Sequence, residues 1–170
     1  MDPKPDHAAA PPTGSYEIDP GASRVTFTTR HVFGLLPVRG SFTLESGTVE
    51  VAEPLADSKV HAEIAADSFD TGNAQRDAIV RSAHYLDTDR YRSMTFTSER
   101  VEGDLLVGEL TAHGVTEQVT LTVEPGETAD GSFTAHARTR IDRTDFGVTA
   151  GRGMTGRYLE VSIAVACVRR

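Results

Sequence analysis

Most of this chain of 170 residues predicts an antiparallel all-β fold closed into a barrel. Three observations lead there. Apolar and polar residues alternate with period two through most segments, which is the pattern of strands that bury one face. The alternating segments, roughly eight to ten of them, are joined mostly by short turns built from Gly, Asp and Pro. A single segment, residues 68–87, reads as helix instead. Strands that follow one another in this way close most simply into an up-and-down barrel, because closure removes the edges. The expected architecture is thus eight strands, or slightly more, with one short helical insertion; a two-sheet sandwich is the alternative.

In chain order, residues 1–14 carry Pro, Ala and Asp without periodicity. They predict a disordered tail ahead of a single domain over 15–170. YEID and SRVTFTTRH form a strand pair or one bent strand, turning at Asp19, Pro20 and Gly21, with Val25 and Phe27 on one face. LLPVRGSFTLES follows with Val38, Gly40, Phe42 and Leu44 in alternation, and the glycine inside it suggests a close backbone approach or a bulge. A turn is expected at Ser46 and Gly47 before TVEV, and SKVHAEIAA then sets Val60, Ala62 and Ile64 on one face.

The helix comes next. Asp70, Thr71 and Asn73 are residue types whose side-chain oxygens accept the unpaired N–H groups of a helix start, and about two turns of good helix formers follow Ala74. Arg76, Ile79, Ala83 and Leu86 share one face, with Asn73 and Asp77 beside it. An arginine on an apolar face suggests a plug, or a lid over a pocket, with Asp77 orienting Arg76. Two plainer readings stand beside that one. Asp77 and Arg81 can pair at i, i+4 on an exposed helix, and Arg76 can snorkel to water.

After AHYLDTDRY, read as a short second helical turn, strands resume. SMTFTSERV carries Met94 and Phe96 on one face. Glu102, Gly103 and Asp104 turn into LLVGELTAHG, and TEQVTLTVE places Val119, Leu121 and Val123 together. A Pro-Gly-rich loop precedes SFTAHARTRI, and a polar loop over 142–157 leads to YLEVSIAVACV.

Composition excludes several functions. A net charge of −8 opposes a nucleic-acid partner, and no apolar run is long enough to span a membrane. The N-terminus lacks a basic region followed by an apolar one, so a cytoplasmic location is expected. The lone Cys167 has no disulfide partner and reads as a small apolar residue in a strand. The six histidines form no metal-ligand spacing, so no metal is expected. Phosphate-binding loops, dinucleotide fingerprints and nucleophile elbows are missing as well, so neither a cofactor nor catalysis is expected. His31 and His113 lie at strand ends beside glycines or turns, where a pocket mouth would be.

In this order, YEIDPGASRVTFTTRH, VRGSF, SFDTGNAQRDAIVRSAHYLD, GELTAHGVT and RTRIDRTDFGV together resemble the YceI-like family, the polyisoprenoid-binding, lipocalin-like barrel group. The likeness spans about residues 16–168. Tyr16 stands where tryptophan is frequent, and Arg92 follows Tyr91 where proline is usual. The resemblance implies a barrel around an elongated apolar tunnel for an isoprenoid or other long-chain amphiphile, and it is compatible with a homodimer. Removing such a chain from water is worth roughly 0.8 kcal/mol per buried CH2. The candidate ligand-binding residues are Asn73, Arg76, His31 and His113 at the polar end, with Asp77 orienting Arg76. Val25, Phe27, Phe42, Ile79, Phe96 and Phe146 are the candidates along the chain. The leading expectation is a non-enzymatic carrier or sequestering protein. Its rivals are an enzyme acting on such a lipid, with His31 or His113 as general base, and a stress-related interaction module with a filled barrel.

Overall fold

The computed structural model describes residues 10–31, 35–151 and 153–170, and only the backbone of His31. The predicted tail falls largely on residues 1–9, outside the described residues. Pro12 and Thr13, also assigned to that tail, are tied to the barrel. The Tyr16 hydroxyl donates to the Pro12 carbonyl at 2.7 Å, and Arg169 donates to that of Thr13 at 3.4 Å.

Nine strands form one antiparallel sheet: β1 (Gly14–Ile18), β2 (Arg24–His31), β3 (Leu36–Val51), β4 (Lys59–Asp70), β5 (Ser93–Glu102), β6 (Leu105–Ala112), β7 (Val115–Ala129), β8 (Ser132–Asp142) and β9 (Tyr158–Arg169). Eight of them close a barrel in sequence order from β2 to β9, with β2 bonded to both β3 and β9. The extra strand, β1, occupies the same slot between β3 and β9. Of the two readings of the N-terminal segments, one bent strand is what forms. Glu17 faces Thr48 and Val25 faces Phe42, so eight steps on this strand meet six on β3, and the excess loops out at Pro20–Ala22. Asp19 fixes that loop by accepting the Gly21 N–H at 3.0 Å.

Two expected breaks are continuous strand. Ser46 and Gly47 make no turn, since β3 runs through them with a shift of register beside Leu44. The missing side chain serves close packing instead: a Cβ on Gly47 would lie 2.4 Å from Ile18 Cδ1, and one on Gly40 would lie 2.3 Å from the Phe27 ring. Likewise Pro125 and Gly126 sit within β7, at a bulge in its pairing with β8, and the chain reverses at Asp130 and Gly131.

Alternation places the inward faces as expected. Tyr16, Ile18, Val25, Leu44, Val51, Ala62, Phe133 and Cys167 form one buried cluster, and Phe96, Leu106 and Leu121 form a second. The Tyr16 and Phe133 rings meet edge to face at 4.8 Å. Because neighbours are antiparallel, the β2–β3, β4–β5, β6–β7 and β8–β9 connections all lie at one end of the barrel. The β4–β5 connection carries the helix α1 (Ala74–Arg81), and the β8–β9 connection opens with a 3-10 turn over Arg143–Phe146.

Candidate functional site

The barrel is hollow. A cavity of about 300 Å³ runs along its interior, lined by Val25, Phe27, Phe42, Leu44, Met94 and Phe96 among many other apolar side chains. Each of these six sits at an inward position whose strand neighbours are polar or glycine, so period two alone delivers them to the lumen. Cavities left by core truncation cost about 24 cal/mol per Å³, so a void of this size forgoes on the order of 7 kcal/mol of packing unless something fills it. Cys167, at 0 % exposure, lies in its wall, and burial pushes the thiol up to about 11, which leaves it an inert apolar group.

At the connection end, Leu86, Arg143, Phe146 and Val148 form the ceiling of the cavity. Arg143 is the one charged residue among the described residues of its lining. It is buried, and its guanidinium donates to the carbonyls of Gly156 (Nε, 2.8 Å), Val148 (Nη1, 2.8 Å) and Thr155 (Nη2, 3.3 Å). Those three bonds fold the β8–β9 connection back over the barrel. The guanidinium also lies 5.9 Å from the centre of the Tyr85 ring, whose hydroxyl meets Thr155 Oγ1 at 2.8 Å. The two long connections are thereby laced together. Asp142, just before this turn, caps it by accepting from the Thr144 N–H and hydroxyl and pairs with Arg157 at 2.9 Å. Burial raises its pKa, but the Arg157 and Thr144 contacts outweigh that and hold the carboxyl below the ordinary range.

The β6–β7 turn is the third part of this cap. His113 and Gly114 both have positive φ, the geometry of a two-residue hairpin turn whose twist matches that of the strands. His113 Nδ1 lies 3.0 Å from the Phe146 carbonyl. A carbonyl can only accept, so Nδ1 carries the proton. The ring also meets Tyr91 edge to face at 5.0 Å.

The helix is built differently from its expected form. Asn73 caps it, accepting the Arg76 N–H at 3.0 Å, but it ends at Arg81. Ala83 and Leu86 therefore lie beyond it, and Ile79 is 52 % exposed. Its buried residue is Asp77, at 3 % exposure. Arg76 and Asp77 do not form the expected pair; both turn to Thr71. Asp77 accepts the Thr71 N–H at 3.0 and 3.1 Å and the hydroxyl at 2.5 Å. Arg76 Nε donates to Thr71 Oγ1 at 2.9 Å and its Nη2 to the Thr71 carbonyl at 3.3 Å. Burial alone would raise the Asp77 pKa; the bonds from Thr71 and the charges of Arg81 and Arg76 more than offset it, and the net shift is downward.

Of the expected site residues, Val25, Phe27, Phe42, Phe96 and Phe146 come together on the cavity wall. Asn73, Arg76, Asp77, Ile79 and His113 do not line it. The side chain of His31, at the end of β2, lies outside the described residues. Arg143, which the resemblance carries onto the family pattern with Phe146, is not among the expected ligand-binding residues. The signal for it was its place in R-T-D-F-G-V beside Phe146. Thr139, the other polar group of the lining, was also legible: it shares parity with Ala135, Ala137 and Ile141 and so had to point inward.

Among the described residues no group of His, Cys, Asp and Glu is arranged to hold a metal ion, and no helix is long and apolar enough to cross a membrane. A closed antiparallel barrel with a hollow apolar interior belongs to the ligand-enclosing class of barrels. The model of the YceI-like domain matches residues 16–167, and the chain belongs to that family. A protein of Shewanella baltica named UPF0312 is 33% identical over 158 residues, covering 86% of this chain and 82% of that one. Protein YceI of Salmonella arizonae is 35% identical over 168 residues, covering 91% and 87%. Two solved structures share the fold. Burkholderia cenocepacia BcnA has a TM-score of 0.77 at 21% identity, covering 88% of this chain and 98% of its own. A polyisoprenoid binding domain from Saccharophagus degradans has a TM-score of 0.76 at 17% identity, covering 91% and 98%.

Proposed function

We propose that this protein binds and carries one long-chain amphiphile, isoprenoid or fatty, without transforming it. The cavity carries the reading: an apolar lumen of about 300 Å³ with Arg143 as the one charged residue of its described lining. The chain of the ligand lies against Val25, Phe27, Phe42, Phe96 and Phe146, and its polar head turns toward Arg143. Contact with methylene or isoprene groups supplies roughly 0.8 kcal/mol per CH2 before ordering costs, so affinity should rise with chain length until the lumen is filled. Family membership and the named ligand class of the Saccharophagus domain support the same reading. Asn73, Arg76 and Asp77 build the helical connection, and His113 holds Phe146 in place; their part in binding is indirect.

The test is native mass spectrometry of freshly purified protein, followed by organic extraction and reloading of the stripped protein with a polyprenol and a fatty acid. The expected result is a stoichiometric adduct that extraction removes and reloading restores, with the ligand recovered unchanged. A protein that stays at its chain mass throughout would end the proposal. Recovery of a product in place of the added lipid would turn it into an enzyme.

A further inference from the structure

One seam in the barrel wall is built unlike its neighbours. β7 pairs with β6 without interruption from Val115 to Thr122, and β8 pairs with β9 along its full length from Ser132 to Asp142. With each other, β7 and β8 pair only from Thr122 opposite Arg138 toward the turn at Asp130 and Gly131. Extending that register would set Leu121 opposite Thr139 and Thr120 opposite Arg140, yet no ladder pair joins these residues. Past their last shared pair β8 runs on for four positions and β7 for seven. A side chain spans the seam instead: the Thr139 hydroxyl donates to the Thr120 carbonyl at 3.0 Å.

A groove of about 430 Å³ lies over this seam on the outer surface, rimmed by Glu117, Gln118 and Thr120 from β7 and by Arg138, Arg140 and Asp142 from β8. Val119, Thr139, Ile141 and Phe146 line both that groove and the central cavity. Four side chains are thus the partition between solvent and lumen. Across the two adjoining seams, β6–β7 and β8–β9, passage of a chain breaks consecutive ladder bonds. At the capped end it breaks the three Arg143 bonds, the His113–Phe146 contact and the Tyr85–Thr155 contact. At the seam, one hydroxyl bond stands in the way. The gap is too narrow for an inserted β-strand, which needs about 4.8 Å on either side, since one threonine bridges it. It suits a single flexible hydrocarbon chain and excludes a fused-ring molecule.

We propose that the β7–β8 seam is the passage by which a slender single-chain amphiphile moves between solvent and cavity, with Thr139 as its latch and the groove rim receiving the polar head on the way. The proposal rests on the lipid-carrying reading above, and its test separates the two. Thr120→Cys with Arg140→Cys, bridged by bismaleimidoethane and verified by mass, ties the seam shut; native Cys167 is fully buried and does not compete for the reagent. The probe is cis-parinaric acid, a fluorescent single-chain fatty acid without rings, followed by stopped-flow fluorescence and by equilibrium titration. Relative to the unbridged double variant, which is the reference because both positions belong to the rim, tying the seam should slow association and dissociation together by about tenfold or more and leave Kd within about threefold. Thr139→Val should speed both rates severalfold at unchanged Kd. Wild-type exchange rates in the bridged protein would overturn the passage and leave the carrier standing. A weaker Kd at an unchanged association rate would overturn it too, by showing damage to the cavity alone. Failure of wild type to take up the probe or any extracted lipid would overturn both readings.

Discussion

The β4–β5 and β8–β9 connections, residues 71–92 and 143–157, lie at the same end of the barrel, and each carries an arginine within a motif that the resemblance singles out. They do different work. In the first, the charges turn inward upon their own connection: Asp77 is buried against Thr71, and Arg76 caps the same residue from outside. In the second, Arg143 lines the cavity while its guanidinium donates to three carbonyls of its own loop. A charge on an otherwise apolar helical face draws the eye, but a short helix at a barrel rim can satisfy such charges locally. The charged residue that lines the cavity came from a segment without periodicity.

The largest effect that sharpens this comparison is expected at Asp77. Asp77→Ala leaves the buried Thr71 N–H without its acceptor and two arginines without their nearest carboxylate, and should cost about 3 kcal/mol in urea melts. Acid should produce the same loss reversibly. The folded pKa of Asp77 lies below the ordinary 3.8, so its contribution is complete above that value and declines as pH falls through the folded pKa. Reloaded with lipid at neutral pH, the still-folded fraction of Asp77→Ala should bind like wild type; a tenfold loss would make the helix part of the site.

Arg143→Met comes next. It keeps an apolar stem in the ceiling and removes the three carbonyl contacts, so a stability loss of about 2 kcal/mol is expected. Affinity for an amphiphile should fall about tenfold, while affinity for a headless hydrocarbon such as hexadecane stays unchanged. Equal losses for both ligands would assign Arg143 to the loop alone. The smallest effect belongs to Ile79→Ala. Its side chain is half exposed and off the cavity, so stability and lipid retention should both stay within about 0.5 kcal/mol of wild type.

The strands and the lumen were legible in the sequence because period two carries both at once. Val25, Phe27, Phe42 and Phe96 each needed only parity to be placed. What parity cannot supply is the reason for a glycine. Gly47 looked like a turn, and the Ile18 side chain that occupies its missing Cβ lies far away in the chain. Nor does alternation reveal which neighbouring strands bond. β7 and β8 both alternate cleanly through residues where they have parted, since each keeps its other neighbour. Arg143 and Phe146 sit in a connection whose path is set by hydrogen bonds to its own backbone, and such bonds leave no period behind.

The central claim is that the lumen is a space kept for a ligand rather than an imperfect core, and filling it tests this most directly. Ala137 lies on the inner face of β8, against the cavity. Ala137→Phe places a ring in the void, and denaturant melts of the stripped protein paired with lipid retention read the outcome. The account predicts that the stripped variant melts at wild-type denaturant concentration or gains about 1–2 kcal/mol, while retention of a long-chain lipid falls more than about tenfold. A stability loss of about 1–3 kcal/mol with retention intact would mean that the site was already packed, and would contradict the account.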